Sequence, residues 1–329
     1  MRIAIVGATG LVGSTMLEVL AATDIPVSEL IPVASEASEG KEILFRGQAL
    51  KVVSAEEALR VKPQAALFSA GSGLSISLAP RFAEVGCRVI DNSSAWRMNA
   101  GIPLIVPEVN GFELLEDHRI IANPNCSTIQ LVMALYPLQQ AFGIRRVVVS
   151  TYQAVTGTGM KAVNQLMAER ACTEHERVYP YPIDLNVIPQ CDTFSDDGYT
   201  KEELKVVNET RKILSLPDLR ITATAVRVPV VGGHSESVNV ELNHSFTMDE
   251  VVEVLRKMPG IVVMGGLDQQ PYPMPMISKG QDAVFVGRIR RDFSAENTLN
   301  LWVVADNLRK GAATNAVQIL EFLRRKSWL

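Results

Sequence analysis

The first third of the chain alternates short apolar runs with stretches of helical periodicity. The opening run, residues 2–6, leads through a glycine turn into a stretch that places Leu11, Met16, Leu17 and Leu20 on one helical face. Further apolar runs lie at residues 30–33, 65–68, 88–91 and 120–122. Strands that alternate with helices in this way are typical of a parallel sheet covered on both faces. The pattern therefore predicts an N-terminal α/β domain.

The pattern changes after about residue 143, where the apolar runs lengthen and contain more β-branched residues. The runs at residues 146–153, 220–229, 237–242 and 297–305 predict a mixed sheet in a second, α+β domain. Between the last two, Thr247 and Glu250 have capping-box spacing ahead of a helix. A final helical stretch, residues 311–326, is expected to return to the first domain. The predicted domains are residues 1–125 with 308–329, and residues 126–307.

Composition argues against several classes of protein. The chain has 329 residues, 47% of them apolar, and a net charge of −4 without any block of like charge. Nucleic acid is therefore not an expected partner. No apolar run approaches the roughly 18–20 residues of a membrane span, and no long apolar segment of a signal peptide follows Met1. We expect no membrane association and a cytoplasmic location.

The spacing of the four cysteines bears on the redox compartment and on metal binding. Cys87, Cys126, Cys172 and Cys191 are widely spaced and lack the histidine pairing of a zinc site, so we expect thiols in a reducing compartment and no metal. Three of them stand in ordinary contexts and are expected to act as small apolar residues. Cys126 is the exception.

A glycine-rich turn follows the first predicted strand. Gly7, Gly10 and Gly13 have the spacing that lets a pyrophosphate approach the backbone at a helix N-terminus. A plain tight turn is the alternative, but the strand-turn-helix context favours a Rossmann-like, dinucleotide-binding domain. The predicted cofactor contacts are Gly7, Thr9, Gly10, Leu11, Val12 and Gly13, with Ser69 and Gly71 after a later strand at the same edge of the sheet.

The residues after the second predicted strand bear on the choice between NAD and NADP. An acidic side chain there binds ribose hydroxyls, whereas a basic one accommodates a 2′-phosphate. Glu36 favours NAD, but Ser35, Ser38 and Lys41 could hold a phosphate. A solvated turn would have the same composition, so both cofactors stay open.

A candidate nucleophile precedes a helical stretch in the middle of the chain. Cys126 falls at the predicted start of that helix, where the dipole and the first amides stabilise a thiolate and can hold an oxyanion. A buried structural cysteine is the alternative. A second segment, around Gly232 and Gly233, supplies Arg227 for a carboxylate and His234 for proton transfer, which favours the catalytic interpretation.

These segments together resemble the aspartate-β-semialdehyde dehydrogenase family over almost the whole chain. Several motifs occur in the family's order, and such a set is highly specific. They are Gly7-Ala8-Thr9-Gly10, Asp91-Asn92-Ser93-Ser94-Ala95-Trp96-Arg97, residues 123–128, residues 227–237, and Asp306-Asn307-Leu308-Arg309-Lys310-Gly311-Ala312-Ala313.

The resemblance implies an activity and a set of roles. Members reduce L-aspartyl-4-phosphate to the 4-semialdehyde with release of phosphate, a step towards lysine, threonine, methionine and isoleucine. Such enzymes are homodimers and use NADPH. The resemblance assigns Cys126 as the acyl-thioester nucleophile, His234 as the acid/base group and Gln153 as the residue that orients the acyl group. It further assigns Arg227 to the substrate carboxylate, Glu202 to the ammonium, Arg97 and Lys205 to the phosphate, Asn125 to the substrate, and Thr156, Gly157 and Asn307 to the cofactor.

The mechanism that these residues suggest begins with thiolate attack, which expels phosphate and leaves a thioester. Hydride transfer gives a thiohemiacetal, and its collapse, with His234 taking the hydroxyl proton, releases the aldehyde.

The sequence departs from the family's pattern at two positions, and two alternative functions stay open. The family carries an arginine where this chain has Ala37, which opens the possibility of NAD. Thr156 replaces a frequent serine but keeps the hydroxyl. An N-acetyl-glutamyl-phosphate reductase would share the chemistry without needing Glu202 for a substrate ammonium. A catalytically silent paralogue that acts as a binding or scaffold protein is the alternative from a different class.

Overall fold

The computed structural model describes residues 1–265 and 271–329. The chain divides into two compact units, Met1–Asn125 with Ala312–Leu329, and Cys126–Gly311. The first unit contains β1 Arg2–Val6, α1 Leu11–Ala21, β2 Glu29–Val33, β3 Glu42–Phe45, β4 Gln48–Lys51, α2 Ala55–Val61, β5 Ala65–Phe68, α3 Ser72–Glu84, β6 Arg88–Asp91, α4 Pro107–Asn110 and β7 Ile120–Ala122.

The second unit contains α5 Cys126–Phe142, β8 Ile144–Gln153, α6 Met160–Arg170, α7 Lys201–Ile213, β9 Arg220–Arg227, β10 His234–Leu242, α8 Met248–Lys257, β11 Ile261–Met264, α9 Pro275–Ser278, β12 Val284–Arg291 and β13 Thr298–Ala305. The chain then returns as α10, Thr314–Arg325, which completes the first unit.

The first unit is built on a five-stranded sheet of order β2-β1-β5-β6-β7 in which every neighbouring pair is parallel. Alternate residues of β1 enter two separate cores. Ile3 packs in one cluster with Leu320 of α10, and Val6 packs in the other with Phe82 of α3. The predicted parallel sheet, covered on both faces, is confirmed. Because the strands are parallel, the carboxyl ends of β2, β1 and β5 meet at one edge.

The second unit is built on a six-stranded mixed sheet of order β11-β12-β13-β10-β8-β9. The β8–β9 and β11–β12 pairs are parallel and the other pairs are antiparallel. Along β10 the side chains alternate, so His234, Glu236 and Val238 are fully buried on one face. Helix α5 contacts β8, β10, β12 and β13, and most of its residues are buried. The predicted α+β domain with a mixed sheet is confirmed.

Several predicted boundaries differ from the structure. The strand predicted to reach residue 229 ends at Arg227, because Pro229 cannot donate a ladder hydrogen bond. Strand β10 begins at His234 rather than at residue 237. The first residues of the strand are buried but polar, so the apolar–polar alternation that marks a strand is not visible there. The sequence does not predict the β3–β4 hairpin, β11 or β12. The chain returns to the first unit at Ala312, whereas the sequence places the return at residue 308.

Cysteine burial is only partly as predicted. Cys87 is buried in an apolar cluster, as expected, whereas Cys191 is buried close to charged residues that include Arg227 and Glu202. Cys172 is exposed, with a φ of +52°, so its expected role as a small core residue is wrong. It follows α6 at the surface.

Among the described residues, no helix combines the length and the apolar character needed to cross a bilayer.

Candidate active site

The turn between β1 and α1 is shaped by glycines that leave no room for side chains. Gly7 has a φ of +87°, and a Cβ there would lie 2.4 Å from the Ser69 carbonyl oxygen. A Cβ on Gly13 would lie 2.1 Å from the Gly7 carbonyl oxygen. Gly10 is the N-cap of α1 and brings no side chain to cap the helix, so the first N–H groups suit an anion. These residues fit the pyrophosphate of a dinucleotide.

The other predicted cofactor contacts of the first unit lie at the same edge of its sheet. Ser35 and Ser38 follow β2, and Ser69 and Gly71 follow β5, on either side of the glycine turn. Thr9 in the turn is exposed, whereas Leu11 and Val12 at the start of α1 are half-buried. Lys41 Nζ donates to Ser38 Oγ at 3.3 Å, so a cation stands beside that hydroxyl.

Arg97 and Asn125 also belong to the first unit. The buried Arg97 side chain donates from Nε to the Asn123 carbonyl oxygen at 3.0 Å, and from one terminal nitrogen to the Asn92 carbonyl oxygen at 2.6 Å. Burial raises the pKa of Asp91, and the Arg97 guanidinium opposes that rise. Asn125 is buried at the end of the unit's first segment. These backbone contacts fix the guanidinium of Arg97.

Cys126 begins α5, as the sequence predicts, and its side chain is partly exposed. The helix N-terminus stabilises negative charge at this position, which suits a thiolate. Gly311 leaves space beside it, since a Cβ there would lie 3.0 Å from Cys126 Cβ. Burial raises the pKa of Cys87, and it raises the pKa of Cys191 to about 12, so both stay protonated thiols. Cys126 is the cysteine in a setting for chemistry.

Gln153 makes hydrogen bonds to the start of α5 and to α7. It is the last residue of β8 and is buried, and its Nε2 lies 3.1 Å from Ser127 Oγ and 3.2 Å from Glu202 Oε1. Thr151 Oγ1, two residues back on the same strand, is a further acceptor at 3.2 Å. The amide is therefore held by the residue next to Cys126 and by the predicted ammonium-binding carboxylate.

Glu202 and Lys205 are three residues apart in α7 and therefore share one face of the helix. Lys205 Nζ lies 3.2 Å from Glu202 Oε2 and 2.8 Å from Asp192 Oδ2. Burial alone would lower the pKa of Lys205, but Glu202 and Asp192 outweigh it and raise that pKa. Glu202 is only 8% exposed, so this is a partly desolvated charge cluster rather than a surface ion pair.

The backbone of Ala154 holds both Arg227 and His234. Its N–H donates to His234 Nδ1 at 3.0 Å, and its carbonyl oxygen accepts from Arg227 at 2.7 Å. Both side chains are buried. Within the described part of the chain, Arg227 Nε and His234 Nε2 have no hydrogen-bond partner. Buried polar atoms are rarely unpaired in a native protein, so these two mark a place for a polar ligand.

Burial is the main cause of the shifted pKa of the His234 imidazole. It lowers the pKa of His234 well below the ordinary 6.5, and the nearby Arg227 cation lowers it further. The ring is therefore neutral at neutral pH. Because Nδ1 accepts the Ala154 N–H, the proton of the neutral ring is on Nε2.

Gly157 lies against both of these side chains. A Cβ at this position would lie 2.8 Å from a terminal nitrogen of Arg227 and 3.1 Å from His234 Nε2. Nearby, Thr156 Oγ1 and the Asn307 amide are hydrogen-bonded at 3.0 Å, and Asn307 Oδ1 accepts from the Gly233 N–H at 3.0 Å. The residues predicted to line the nicotinamide in this unit thus adjoin the arginine and the histidine.

Gly157→Ala is expected to lower kcat/KM by about 10- to 100-fold, because the methyl group displaces the Arg227 and His234 side chains from their positions. Steady-state kinetics with a thermal melt would measure this, and the melting temperature should change little. Gly232→Ala is the matched control, since nothing lies within 4 Å of a Cβ there. Equal losses in both variants would contradict the assignment.

The structure adds residues that the sequence does not single out. Ser127 and Thr151 hold Gln153, and the ring of Tyr179 lies 6.0 Å from the Arg227 guanidinium. Ser127 stands directly beside Cys126, and that adjacency is a signal available from sequence. Ala154 acts through its backbone, so its side chain gives no signal at all.

Comparison with known proteins finds relatives over most of the chain. The family described as "Semialdehyde dehydrogenase, NAD binding domain" matches residues 2–117, and "Semialdehyde dehydrogenase, dimerisation domain" matches residues 135–310. An aspartate-semialdehyde dehydrogenase of Aquifex aeolicus is 50% identical, over 98% of this chain and 97% of its own length. One of Bacillus subtilis is 46% identical, over 99% and 98%. The crystal structure of aspartate semialdehyde dehydrogenase II from Vibrio cholerae complexed with ASA has a TM-score of 0.94 and 46% identity, and covers 98% of both chains.

Proposed function

The chain belongs to the aspartate-semialdehyde dehydrogenase family, and from that premise we propose that it forms L-aspartate-4-semialdehyde from L-aspartyl-4-phosphate through a thioester on Cys126. It is an NAD(P)-dependent, phosphorylating dehydrogenase. The observation that carries the thioester proposal is the pair of buried, unpartnered nitrogens on Arg227 and His234 in the unit whose first residue is Cys126. A silent paralogue would have no need to keep such costly groups unpaired.

The two ends of the substrate amino acid have chemically matched residues. Arg227 has an unpaired Nε for the α-carboxylate, and Glu202 has a buried carboxylate for the ammonium. An N-acetylated substrate has no ammonium and would leave Glu202 without that partner. From the family resemblance we assign Arg97 and Lys205 to the phosphate and Asn125 to the substrate. Two fixed charges hold the substrate in a single orientation.

The nicotinamide dinucleotide is assigned to the glycine turn and its neighbours. In the first unit we propose contacts from Gly7, Thr9, Gly10, Leu11, Val12 and Gly13, with Ser35, Ser38, Ser69 and Gly71; in the second, from Thr156, Gly157 and Asn307. Reduced nicotinamide, when bound, supplies the hydride. Lys41 beside Ser38 supports NADP, because a cation and a hydroxyl together suit a 2′-phosphate.

The covalent steps use the sulfur of Cys126. Its thiolate attacks the acyl carbon, the new C–S bond forms, and the C–O bond to phosphate breaks with its electron pair leaving on phosphate. The resulting thioester is a better hydride acceptor than a carboxylate. After reduction, the carbonyl re-forms as the C–S bond breaks, which returns the thiolate and releases the aldehyde.

His234 enters this sequence first as a hydrogen-bond donor. With its proton on Nε2, the neutral ring can donate to the acyl oxygen as negative charge develops there. This modifies the simple expectation of a base that removes a hydroxyl proton, because the Nε2 lone pair is available only after that proton has been given up. In the oxidative direction the roles reverse.

A steady-state assay in the oxidative direction tests the proposed function. With L-aspartate-4-semialdehyde, phosphate and NADP, we expect cofactor reduction that requires all three. The N-acetylated glutamate semialdehyde is the control substrate and should react at least about 100-fold more slowly in kcat/KM, because it brings no ammonium to the Glu202 carboxylate. Turnover of the acetylated substrate alone would reassign the enzyme.

Cofactor preference can be tested at the position where the family's arginine is missing. Ala37 is exposed, so Ala37→Arg should fit without disturbing the fold. We expect the ratio of kcat/KM for NADP over NAD to rise by about tenfold, the scale of one added charge-assisted contact to a phosphate. The kcat/KM for NAD serves as the internal control. An unchanged ratio would place the 2′-phosphate elsewhere.

The assembly is proposed to be a homodimer formed through the second unit. The match to a dimerisation domain supports this proposal, and so does an aromatic pair, Tyr152 with Trp302, on the less buried face of the mixed sheet. Sedimentation velocity measures the mass directly.

A further inference from the structure

Glu236 is a buried acid that the proposed chemistry does not use. It lies two residues after His234 on β10, on the same face of the strand, and is 0% exposed. Its cross-strand neighbours are Thr151 on β8 and Val303 on β13, and neither carries a charge. The nearest titratable group along its own strand is His234, which is itself neutral. A carboxylate here would have no counter-ion among these neighbours.

The hydrogen bonding around Glu236 is incomplete for an ionised group. In the described part of the chain, neither of its carboxyl oxygens has a hydrogen-bond partner, and neither has Gln130 Oε1. A carboxylate and an amide oxygen are both acceptors, so an ionised Glu236 leaves all three atoms unsatisfied. A proton on Glu236 changes one acceptor into a donor. Burial raises the pKa of Glu236 well above its ordinary value, and the adjacent Gln130 amide opposes that rise.

Gln130 connects the two elements that carry the reactive groups. It is four residues after Cys126 on α5, so the two side chains share a helical face. Its Nε2 donates to the carbonyl oxygen of His234 at 3.4 Å, across to the first residue of β10. Whatever fixes this amide therefore also fixes the backbone from which the imidazole extends.

We propose that Glu236 is a neutral carboxylic acid that pairs with the Gln130 amide and so positions His234 relative to the helix of Cys126. The acid O–H donates to the amide oxygen, and its carbonyl oxygen faces the amide N–H group. Glu236 is a positioning residue, since it acts through Gln130 on His234. The inference rests on the proposed role of His234 in the reaction.

The experiment compares two substitutions with different hydrogen bonding. Glu236→Gln keeps a donor and an acceptor without charge, whereas Glu236→Leu keeps neither. We expect Glu236→Leu to lower kcat about tenfold or more, the scale of one buried hydrogen bond, with KM within about twofold. Glu236→Gln should restore most of kcat. The pH profile of kcat should be the same in Glu236→Gln as in the natural protein, because no charge is removed.

Infrared difference spectroscopy gives a direct readout of the protonated carboxylic acid, independent of the enzyme's turnover. The natural protein should show the carbonyl stretch of a protonated carboxylic acid above neutral pH, and Glu236→Gln should lack it. Glu241→Gln is the matched control on the same strand: that carboxylate is 3.1 Å from Arg145 and partly exposed, so its loss should leave the band intact. Absence of the band, or a Glu236→Gln enzyme as slow as Glu236→Leu with a shifted pH profile, would overturn the proposal. Failure of the proposed function would instead appear as no semialdehyde turnover in the natural protein.

Discussion

Cys126→Ala is expected to fold and to bind the nicotinamide cofactor, but to lose turnover by about 10⁴-fold or more, the scale seen when a covalent nucleophile is removed. The reason is that without the sulfur no thioester can form, and the acyl phosphate must be reduced directly. Residual activity of the purified variant in the oxidative assay measures the loss. A titration with the cofactor, monitored by fluorescence, checks that the fold survives.

The exposed Cys172 supplies the control for Cys126. Cys172→Ala removes a thiol from the surface after α6, and its kinetics should match those of the natural protein. Mass spectrometry after brief treatment with the acyl phosphate should find the acyl group on residue 126 in the control and no adduct in Cys126→Ala. Appreciable dehydrogenase activity in Cys126→Ala would contradict a covalent route.

His234→Ala is expected to lower kcat by about 10²- to 10⁴-fold, because it removes the group that donates to the acyl oxygen. The thiol of Cys126 should still be alkylated by iodoacetamide, since the helix N-terminus that stabilises its thiolate is unchanged. His244→Ala is the matched control, and its kcat should be unaffected. An unreactive Cys126 in His234→Ala would show that the imidazole acts on the sulfur.

The same histidine makes folding depend on pH in a defined direction. Its folded pKa is lowered, so below the unfolded value of 6.5 the unfolded chain binds a proton that the folded chain excludes. The stabilising effect of the neutral ring is complete above pH 6.5 and is lost as the pH falls through and below that value. The free energy of unfolding of the natural protein, measured by chemical denaturation, should therefore fall on acidification more steeply than that of His234→Asn. Parallel curves would contradict the assigned shift.

Both domains and most reactive groups could be predicted from sequence because their signals are local. The glycine turn follows β1 directly, and Cys126 starts a helix that is rich in apolar residues. Contacts between distant segments carry no such signal. Gln153 and Glu202 are brought together by the packing of α7 beside the mixed sheet, and only the family resemblance indicated their roles.

The start of β10 shows why buried polar segments are difficult to predict. His234, Ser235 and Glu236 are all buried, although their sequence reads as a polar loop. Hydrophobic alternation identifies a strand only where the buried positions are apolar. An active site places polar groups in the interior, so the pattern fails at the residues of greatest chemical interest.

The two contacts made by the main chain of Ala154 have a consequence for mutagenesis. An alanine scan would pass over this position because it is already alanine, and a side-chain replacement there would test the packing of a fully buried site rather than the two main-chain hydrogen bonds. Side-chain mutagenesis would thus miss the point where the guanidinium and the imidazole are anchored together. An amide-to-ester exchange at residue 154 would delete the donor to the ring while the acceptor for the arginine stays, and so would separate orientation of the ring from binding of the substrate.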